Sequence, residues 1–281
     1  MSATSLDAAI APAAAPRAPS PWPKRLADAG MRCLAIVVFI AIWAAVSLGN
    51  QYIWKAFNPI LLPTPIDVVR AGIDAIQTGE LQANIIASMR RVIQGFGIAA
   101  VSGVVVGLAV GTWRPLEKLV EPMIELLRPI PPLAFLPMMV LWFGIGEMSK
   151  IAFIAYAAFF PVFTTTLEGI KYVDPVLIRA ASSLGASRTD LFRYVVLPAA
   201  TPSIITGLRL GFGLSFFVIV AAEFIAADSG LGYMINDART FFLVSQMLLG
   251  AVVIGLIGFI VNIALRGVES WLLRWRVATR G

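Results

Sequence analysis

Histidine is absent from the sequence, cysteine occurs once, and charged residues are scarce. Asp, Glu, Lys and Arg make up 14% of the 281 residues, well below their share in soluble domains. The absence of histidine excludes imidazole metal sites and His-dependent catalytic triads, and Cys33 alone cannot form an internal disulfide. No G-x-x-x-x-G-K-[ST] phosphate loop occurs. We therefore expect this chain to hold no metal, cofactor or nucleotide and not to be an enzyme.

Long uncharged stretches dominate the rest of the sequence. Hydrophobic residues account for 59% of the chain, and five uncharged stretches approach the roughly 20 residues that a bilayer-spanning helix needs: 33–54, 92–112, 129–146, 151–167 and 240–265. A sixth stretch, 202–225, carries Arg209 and Glu223 and is otherwise apolar enough to insert. The pattern predicts an all-α integral membrane protein with about six transmembrane helices.

Six spans place both termini on one side of the membrane, and the basic residues favour that side. Fourteen of the 22 Lys and Arg residues lie in segments on the side of the termini, and four lie on the other side. Because cytoplasmic loops carry the excess of Lys and Arg, both termini are predicted to be cytoplasmic. The basic residues are scattered between apolar spans, so the net charge of +6 does not indicate nucleic-acid binding.

The chain divides into a membrane domain and two tails. Residues 1–30, rich in Ala and Pro, are predicted to form a disordered cytoplasmic tail, 31–275 the membrane domain, and 276–281 a second cytoplasmic tail. Between the first two spans, an apolar pattern at helical period predicts a short helix on the outer face, with its apolar residues at Ile66, Val68, Val69, Ile73 and Ile76.

Prolines and glycines mark special positions within the spans. Four prolines at the start of the third span remove backbone donors and disfavour helix before them, so this span should be broken near its inner end. Irregular backbone at membrane depth lines cavities or is buried in protein, which makes this span a candidate wall of a translocation path, with Phe135 and Trp142 beside the prolines. Glycines at 103, 107 and 111, and again at 207 and 211, allow close helix approach, either within the chain or at a dimer contact.

Ionisable residues in or near spans are the other candidates for the path. Glu125, Arg128, Arg209 and Glu223 are the deepest of them, and such residues usually face a bundle interior or a cavity. Arg128 lies three residues after Glu125 and can pair with it. For all four residues, structural ion pairs and substrate contacts remain alternatives. Glu117 and Glu121 are interpreted as part of a solvated helix face.

The segment 171–201 is predicted to form two short amphipathic cytoplasmic helices divided at Gly185, with Pro198 ending the second helix. The residues Arg179-Ala180-Ala181, Gly185-Ala186, Val195 and Leu197-Pro198 resemble the EAA loop of bacterial ABC importer permeases in their spacing. In that family the loop docks into a groove on the ATPase subunit and transmits its closure. Here Arg179 replaces the usual Glu, so a salt bridge from that position is not expected. We call 171–201 the coupling loop.

A second resemblance extends from residue 61 to the C-terminus. The motifs at 61–65, 128–137, 141–147, 206–209, 220–223 and 229–233 are similar to those of ABC importer permeases for taurine, sulfonates, nitrate and bicarbonate, and most similar to the taurine permeases. The resemblance implies a MetI-like helical fold in the bacterial inner membrane, working as a pair of permeases. It also implies two cytoplasmic ATPase subunits, which bind ATP and Mg, and an external substrate-binding protein.

The implied substrate is a small anion, taurine or another sulfonate, with nitrate or bicarbonate as the alternative. An ion-gradient-driven secondary carrier is a rival of a different class. Such carriers usually contain inverted repeats, and no internal repeat of the span pattern is visible in this sequence. The docking loop therefore favours the ATP-driven importer.

Overall fold

The computed structural model describes residues 22–273, so residues 1–21 and 276–281 of the two predicted tails lie outside the described residues. All regular elements in this range are helical, which confirms the predicted fold class. The α-helices are α1 (Trp22–Gly49), α2 (Pro65–Gln77), α3 (Glu80–Thr112), α4 (Arg114–Leu127), α5 (Pro132–Phe143), α6 (Glu147–Lys171), α7 (Pro175–Ser183), α8 (Arg188–Leu191), α9 (Leu197–Ala226), α10 (Leu231–Thr240) and α11 (Val244–Leu272).

The first of two compact units ends at Pro59 and contains α1. This helix runs on into a π-helix at Asn50–Trp54. The Asn50 side chain then closes a turn, because its amide donates to the Phe57 carbonyl at 2.9 Å and its oxygen accepts from the Phe57 N–H at 3.2 Å. The stretch Leu34–Trp54 is apolar and long enough to cross a bilayer.

Within the described residues, four more helical stretches meet the same test: Glu80–Thr112, Glu147–Lys171, Arg188–Ile225 and Val244–Leu272. The predicted third span does not, because α5 has 12 residues and is about 18 Å long. The stretch 129–146 therefore does not cross a bilayer as one straight helix. The predicted break is confirmed, since α4 and α5 meet at 99° and Pro129 and Pro131 lie between them. Counted as one bent span, the pair makes six.

Helix α6 is the centre of the second unit and packs along α3 and α9. Glycines on both neighbours make this approach possible. A Cβ on Gly103 would lie 2.9 Å from the Val162 Cβ, and one on Gly107 would lie 2.8 Å from the Thr166 Cβ. On α9, a Cβ on Gly211 would lie 2.8 Å from Cγ2 of Val162. The glycine stripes therefore serve packing inside the chain, which decides between the two alternatives left by the sequence.

Helix α5 buries one face and exposes the other. Leu136 and Met139 belong to a buried cluster with residues of α3, α6 and α9, and the ring of Phe135 lies 4.8 Å from that of Tyr156 on α6. At its end, Leu141 and Trp142 are 81% and 58% exposed. Gly144, with φ of 78°, then ends the helix.

The short helix predicted before α3 is present as α2 and begins with a capping box between Thr64 and Asp67, which satisfies free N–H groups of its first turn. Its apolar residues divide between a buried side and an exposed side. Small residues beside Val68 let this side of the helix pack against α3 and α11, and the buried residues are Val68, Gly72 and Ala75. The remaining apolar residues of the predicted stripe are exposed, namely Ile66, Val69, Ile73 and Ile76.

Two nearby glycines of α3 test the packing against α6. A Cβ on Gly95 would lie 2.6 Å from the Ile154 Cβ and 2.9 Å from the Ile151 carbonyl oxygen, whereas a Cβ on Gly97 would meet no atom within 4 Å. Gly95→Ala should therefore destabilise the protein by about 1–3 kcal/mol through overpacking, and Gly97→Ala should be neutral or slightly stabilising. Thermal unfolding of both variants in detergent measures the difference. Equal midpoints would contradict the packing described here.

Candidate functional site

The first half of the coupling loop is a short helix with well-defined ends. Asp174 caps α7 by accepting a hydrogen bond from the Val176 N–H at 2.8 Å. At the other end, the Gly185 N–H donates to the Ser182 carbonyl at 3.0 Å and the Ala186 N–H donates to the Ala181 carbonyl at 3.1 Å. This pair of bonds is a Schellman motif, which requires a left-handed residue at the first position after the helix cap. Gly185 supplies it with φ of +83°.

The second half of the loop begins immediately afterwards. Ser187 caps α8 through a capping box with Asp190, each residue accepting a hydrogen bond from the backbone N–H of the other. The predicted division at Gly185 is therefore confirmed. A Cβ on Gly185 would meet no atom of the chain within 4 Å, so this turn points into open space.

The predicted end of the second helix at Pro198 is wrong. Helix α8 continues through a π-helical segment at Phe192–Val196 into α9, so one helix runs from Arg188 to Ala226. Pro198 sits in the first turn of α9, immediately after the π-helical segment. There the wider turn accommodates a residue that lacks a backbone N–H.

The coupling loop presents apolar side chains outward. Val176 and Leu177 on α7 are 57% and 49% exposed, and Leu184 at the turn is 89% exposed. Of the other loop residues predicted from the sequence, Arg179, Ala180 and Pro198 are exposed and Ala181, Ala186 and Leu197 are half-buried. Arg179 forms no ion pair with any residue in the described part of the chain.

At the other end of the second unit, a buried charge cluster joins α3, α6 and α9. Arg91 of α3 is 1% exposed and binds Glu147 of α6 through two parallel bonds, from Nε at 2.7 Å and Nη2 at 2.6 Å. Its Nη1 donates to Glu223 of α9 at 2.7 Å and to the Ser229 carbonyl at 2.6 Å, and Nη2 also donates to the Ser229 hydroxyl at 3.0 Å. All five guanidinium N–H groups are thereby used.

Glu223 is the second member of the buried charge cluster and is 1% exposed. Besides the Arg91 bond, its carboxylate accepts hydrogen bonds from the Ser88 hydroxyl at 2.8 Å and from the Gly232 N–H at 2.8 Å. A buried charge is tolerated when it is paired and fully hydrogen-bonded. We define the buried charge cluster as Ser88, Arg91 and Glu223, together with Glu147, whose side chain is 55% exposed at the edge of the cluster.

The buried charge cluster holds the segment that links α9 to α10. Three successive N–H groups of this segment are bound: Gly230 to the Asn84 side chain, Leu231 to the Ser88 hydroxyl and Gly232 to Glu223, each at 2.8 Å. Gly230 has φ of +116°, and a Cβ there would collide with the Glu223 carboxyl. The cluster therefore sets the backbone of 229–232 relative to three spanning helices.

The six residues predicted for the path do not converge within one chain. Glu223 lies in the buried charge cluster, and Arg209 pairs with Glu269 of α11 at 2.6 Å, so both have structural ion-pair partners. Glu125, Arg128 and Trp142 are exposed on the bent α4–α5 pair, and Phe135 is half-buried.

Two expectations about α4 also differ from the structure. No ion pair links Glu125 to Arg128, although both lie in the described part of the chain. Glu117 and Glu121, interpreted as a solvated face, both bind Lys171 at the end of α6, at 2.8 and 2.6 Å.

Sequence reasoning placed Arg91 at the edge of a span and did not single it out. A usable signal was present, because Asn84, Ser88 and Arg91 follow one another at helical spacing and all three bind the 229–232 segment or Glu223. The span was predicted to start at residue 92, whereas α3 starts at Glu80. With the predicted start at residue 92, Asn84, Ser88 and Arg91 fell outside the span, and their shared helix face was not recognised.

Removing Arg91 should show how much free energy it costs to bury the Glu223 carboxylate without its charged partner. We expect Arg91→Gln to lower the free energy of unfolding by about 3 kcal/mol or more, because an unpaired carboxylate would remain buried. The double variant with Glu223→Gln should recover part of that loss. Arg90→Gln is the matched control, since Arg90 is exposed and its loss should cost at most about 0.5 kcal/mol. Thermal unfolding in detergent compares the three, and similar midpoints for Arg91→Gln and Arg90→Gln would contradict the role of the cluster.

Known proteins resemble this chain over most of its length. A family model described as "Binding-protein-dependent transport system inner membrane component" matches residues 100–275. The chain is 40% identical over 245 residues to the taurine transport system permease protein TauC of Escherichia coli (strain K12), covering 85% of this chain and 87% of that protein. It is 37% identical over 190 residues to the bicarbonate transport system permease protein CmpB of Synechococcus elongatus, covering 67% and 68%.

The fold is likewise that of a solved importer permease. A structure titled as the inward-facing MetNI methionine ABC transporter matches with a TM-score of 0.60 at 18% identity, over 71% of this chain and 96% of that one. Its similarity confirms the predicted MetI-like fold. The chain therefore belongs to the family of binding-protein-dependent transport system inner membrane components, and is a multi-pass transport subunit of an ABC importer, not an enzyme.

Proposed function

We propose that this chain carries a small organic anion, taurine or another sulfonate, across the bacterial inner membrane with energy from a separate ATPase. The observation that carries the proposal is the coupling loop, a capped helical turn with outward apolar side chains that leads into a helix crossing the bundle. The likeness to a taurine permease supports the choice of substrate. The likeness to a bicarbonate permease supports bicarbonate, or the similar anion nitrate, as the alternative.

The proposed partners follow from the chain's own surfaces and from its family. Val176, Leu177 and Leu184 form an exposed apolar surface at the coupling loop, and apolar side chains of this kind pack into grooves of partner proteins. We assign this surface to the ATPase subunit, with one ATPase for each of two permease copies. The loop and both termini then lie in the cytoplasm, and 229–232 lies outside, where a substrate-binding protein delivers the anion.

Helix continuity supplies a route for coupling. The helix from Arg188 to Ala226 begins in the coupling loop and carries Glu223 near its other end, about 53 Å away at 1.5 Å per residue. A displacement of the loop by the ATPase would tilt this helix as one body. Glu223 would transmit the tilt to the 229–232 segment through the hydrogen bond to Gly232.

The bent α4–α5 pair is the proposed wall of the translocation path. Its exposed residues include the cation Arg128 at the break and the apolar side chains Leu141 and Trp142 beyond it. A second permease copy facing this surface would enclose a space with a positive charge at the break in the backbone. Arg128 is then the candidate to attract the anion, and Phe135 and Trp142 are candidates to shape the passage. Glu125, Arg209 and Glu223 would lie beside the translocation path and influence it from there.

Replacement of Gly185 tests the docking role. Gly185→Trp should abolish co-purification with the ATPase or reduce substrate-stimulated hydrolysis at least tenfold, because the indole would occupy the open space that the docking partner fills. It should leave membrane insertion unchanged, since the turn lies outside the spans. Gly185→Asn is the matched control, because Asn tolerates the left-handed conformation and has a small side chain. A Gly185→Trp variant that assembles and hydrolyses ATP like the parent would remove the docking role.

The substrate can be identified with the whole transporter in vesicles. We expect taurine or an alkanesulfonate to stimulate ATP hydrolysis and uptake when the binding protein is present, and nitrate and bicarbonate to have little effect. Omission of the binding protein is the control and should abolish the stimulation. Stimulation by bicarbonate or nitrate alone would replace the sulfonate assignment by its alternative. Uptake driven by an ion gradient without ATP would refute the importer mechanism itself.

A further inference from the structure

An open groove runs between α9 and α11, away from the coupling loop and from the buried charge cluster. It has a volume of about 600 Å³, and its lining includes Phe212 and Gly213 of α9 and Gly258 of α11. A Cβ on Gly213 or Gly258 would meet no atom within 4 Å. The two glycines therefore leave the groove between α9 and α11 unobstructed by side chains at these positions. The adjoining surface of α11 is apolar and exposed, at Leu256, Phe259, Ile260 and Ile263.

One end of the groove is basic. Arg209, Asn262 and Arg266 all line it. Arg209 is paired with Glu269 at 2.6 Å, which uses the nearby acid. Arg266 is exposed and has no ion-pair partner among residues 22–273. The groove end therefore carries one uncompensated positive charge.

The depth of this charge along α11 decides which anion can reach it. Arg266 lies about 33 Å along the helix from Val244, at 1.5 Å per residue, and a hydrocarbon core is about 30 Å thick. The arginine thus lies near the bilayer surface opposite the one at which α11 starts. Gly258 lies about 12 Å deeper in the bilayer. A phosphate at the arginine and an acyl chain over the glycines would follow this arrangement.

We propose that this groove binds an anionic phospholipid, with its phosphodiester on Arg266 and one acyl chain between α9 and α11. Basic pockets between transmembrane helices on the cytoplasmic side are suited to anionic head groups. The groove offers what such a lipid needs, an uncompensated cation at the interface and an apolar channel leading from it into the bilayer. A soluble anion would use the cation and leave the channel unfilled.

Lipid retention measured by native mass spectrometry tests the proposal. The delipidated protein in detergent is given phosphatidylglycerol or phosphatidylcholine of equal chain length. The parent should retain one phosphatidylglycerol per chain in preference to phosphatidylcholine. Arg266→Gln should weaken phosphatidylglycerol binding about fivefold, the factor that one basic residue near a membrane surface contributes. Gly258→Leu should also weaken it, because the side chain would fill the channel without changing the charge.

A matched control and a competing anion separate the other outcomes. Arg193→Gln should leave retention unchanged, since Arg193 is an exposed cation beside Tyr194 and does not line the groove. Inorganic phosphate should not displace the lipid from the parent. The proposal is overturned if both lipids bind equally, if Arg266→Gln retains phosphatidylglycerol like the parent, or if phosphate displaces it. Cross-linking of a Gly258→Cys variant to a second copy, in a Cys33→Ser background, would assign the groove to a permease contact and overturn the proposal as well.

Discussion

A charged guanidinium buried among apolar helices is the constraint on which much of the second unit depends. Arg91 cannot be removed from water without partners that match its charge and its five N–H groups, and these partners come from three separate parts of the chain. Satisfying Arg91 therefore fixes α6 and α9 beside α3 and holds the 229–232 segment against them. Alternative helix registers would leave these buried charges unpaired, which is strongly unfavourable.

The same constraint is connected to the coupling loop through one helix. Glu223 belongs to the buried charge cluster, and it stands on the helix that begins at Arg188 in the coupling loop. Close glycine packing against α6 keeps this helix in contact with the bundle over its length. The second half of the coupling loop and Glu223 are thus parts of one continuous helix, which is the arrangement that the proposed coupling by shear or tilt requires.

Local sequence signals determined the membrane class, most spans and the division of the coupling loop. Hydropathy identifies spans because an apolar helix satisfies its own backbone in lipid. The turn at Gly185 was predictable because helix ends depend on neighbouring residues, and a glycine between two capped helices leaves few alternatives. The break before α5 followed from the prolines for the same reason. The coupling role proposed for the loop rests on the likeness of its motif to a known family.

Tertiary structure alone decided which distant residues meet. Neither the pairing of Arg91 with Glu147 and Glu223 nor the contact of the glycine stripes with α6 can be read from spacing along one helix, because both depend on how three helices are rotated toward each other. The continuation of α8 through Pro198 likewise depended on a π-helical segment that local propensities do not predict. Hydropathy reports how much of a helix is apolar, whereas the partner of a buried charge is set by packing across the bundle.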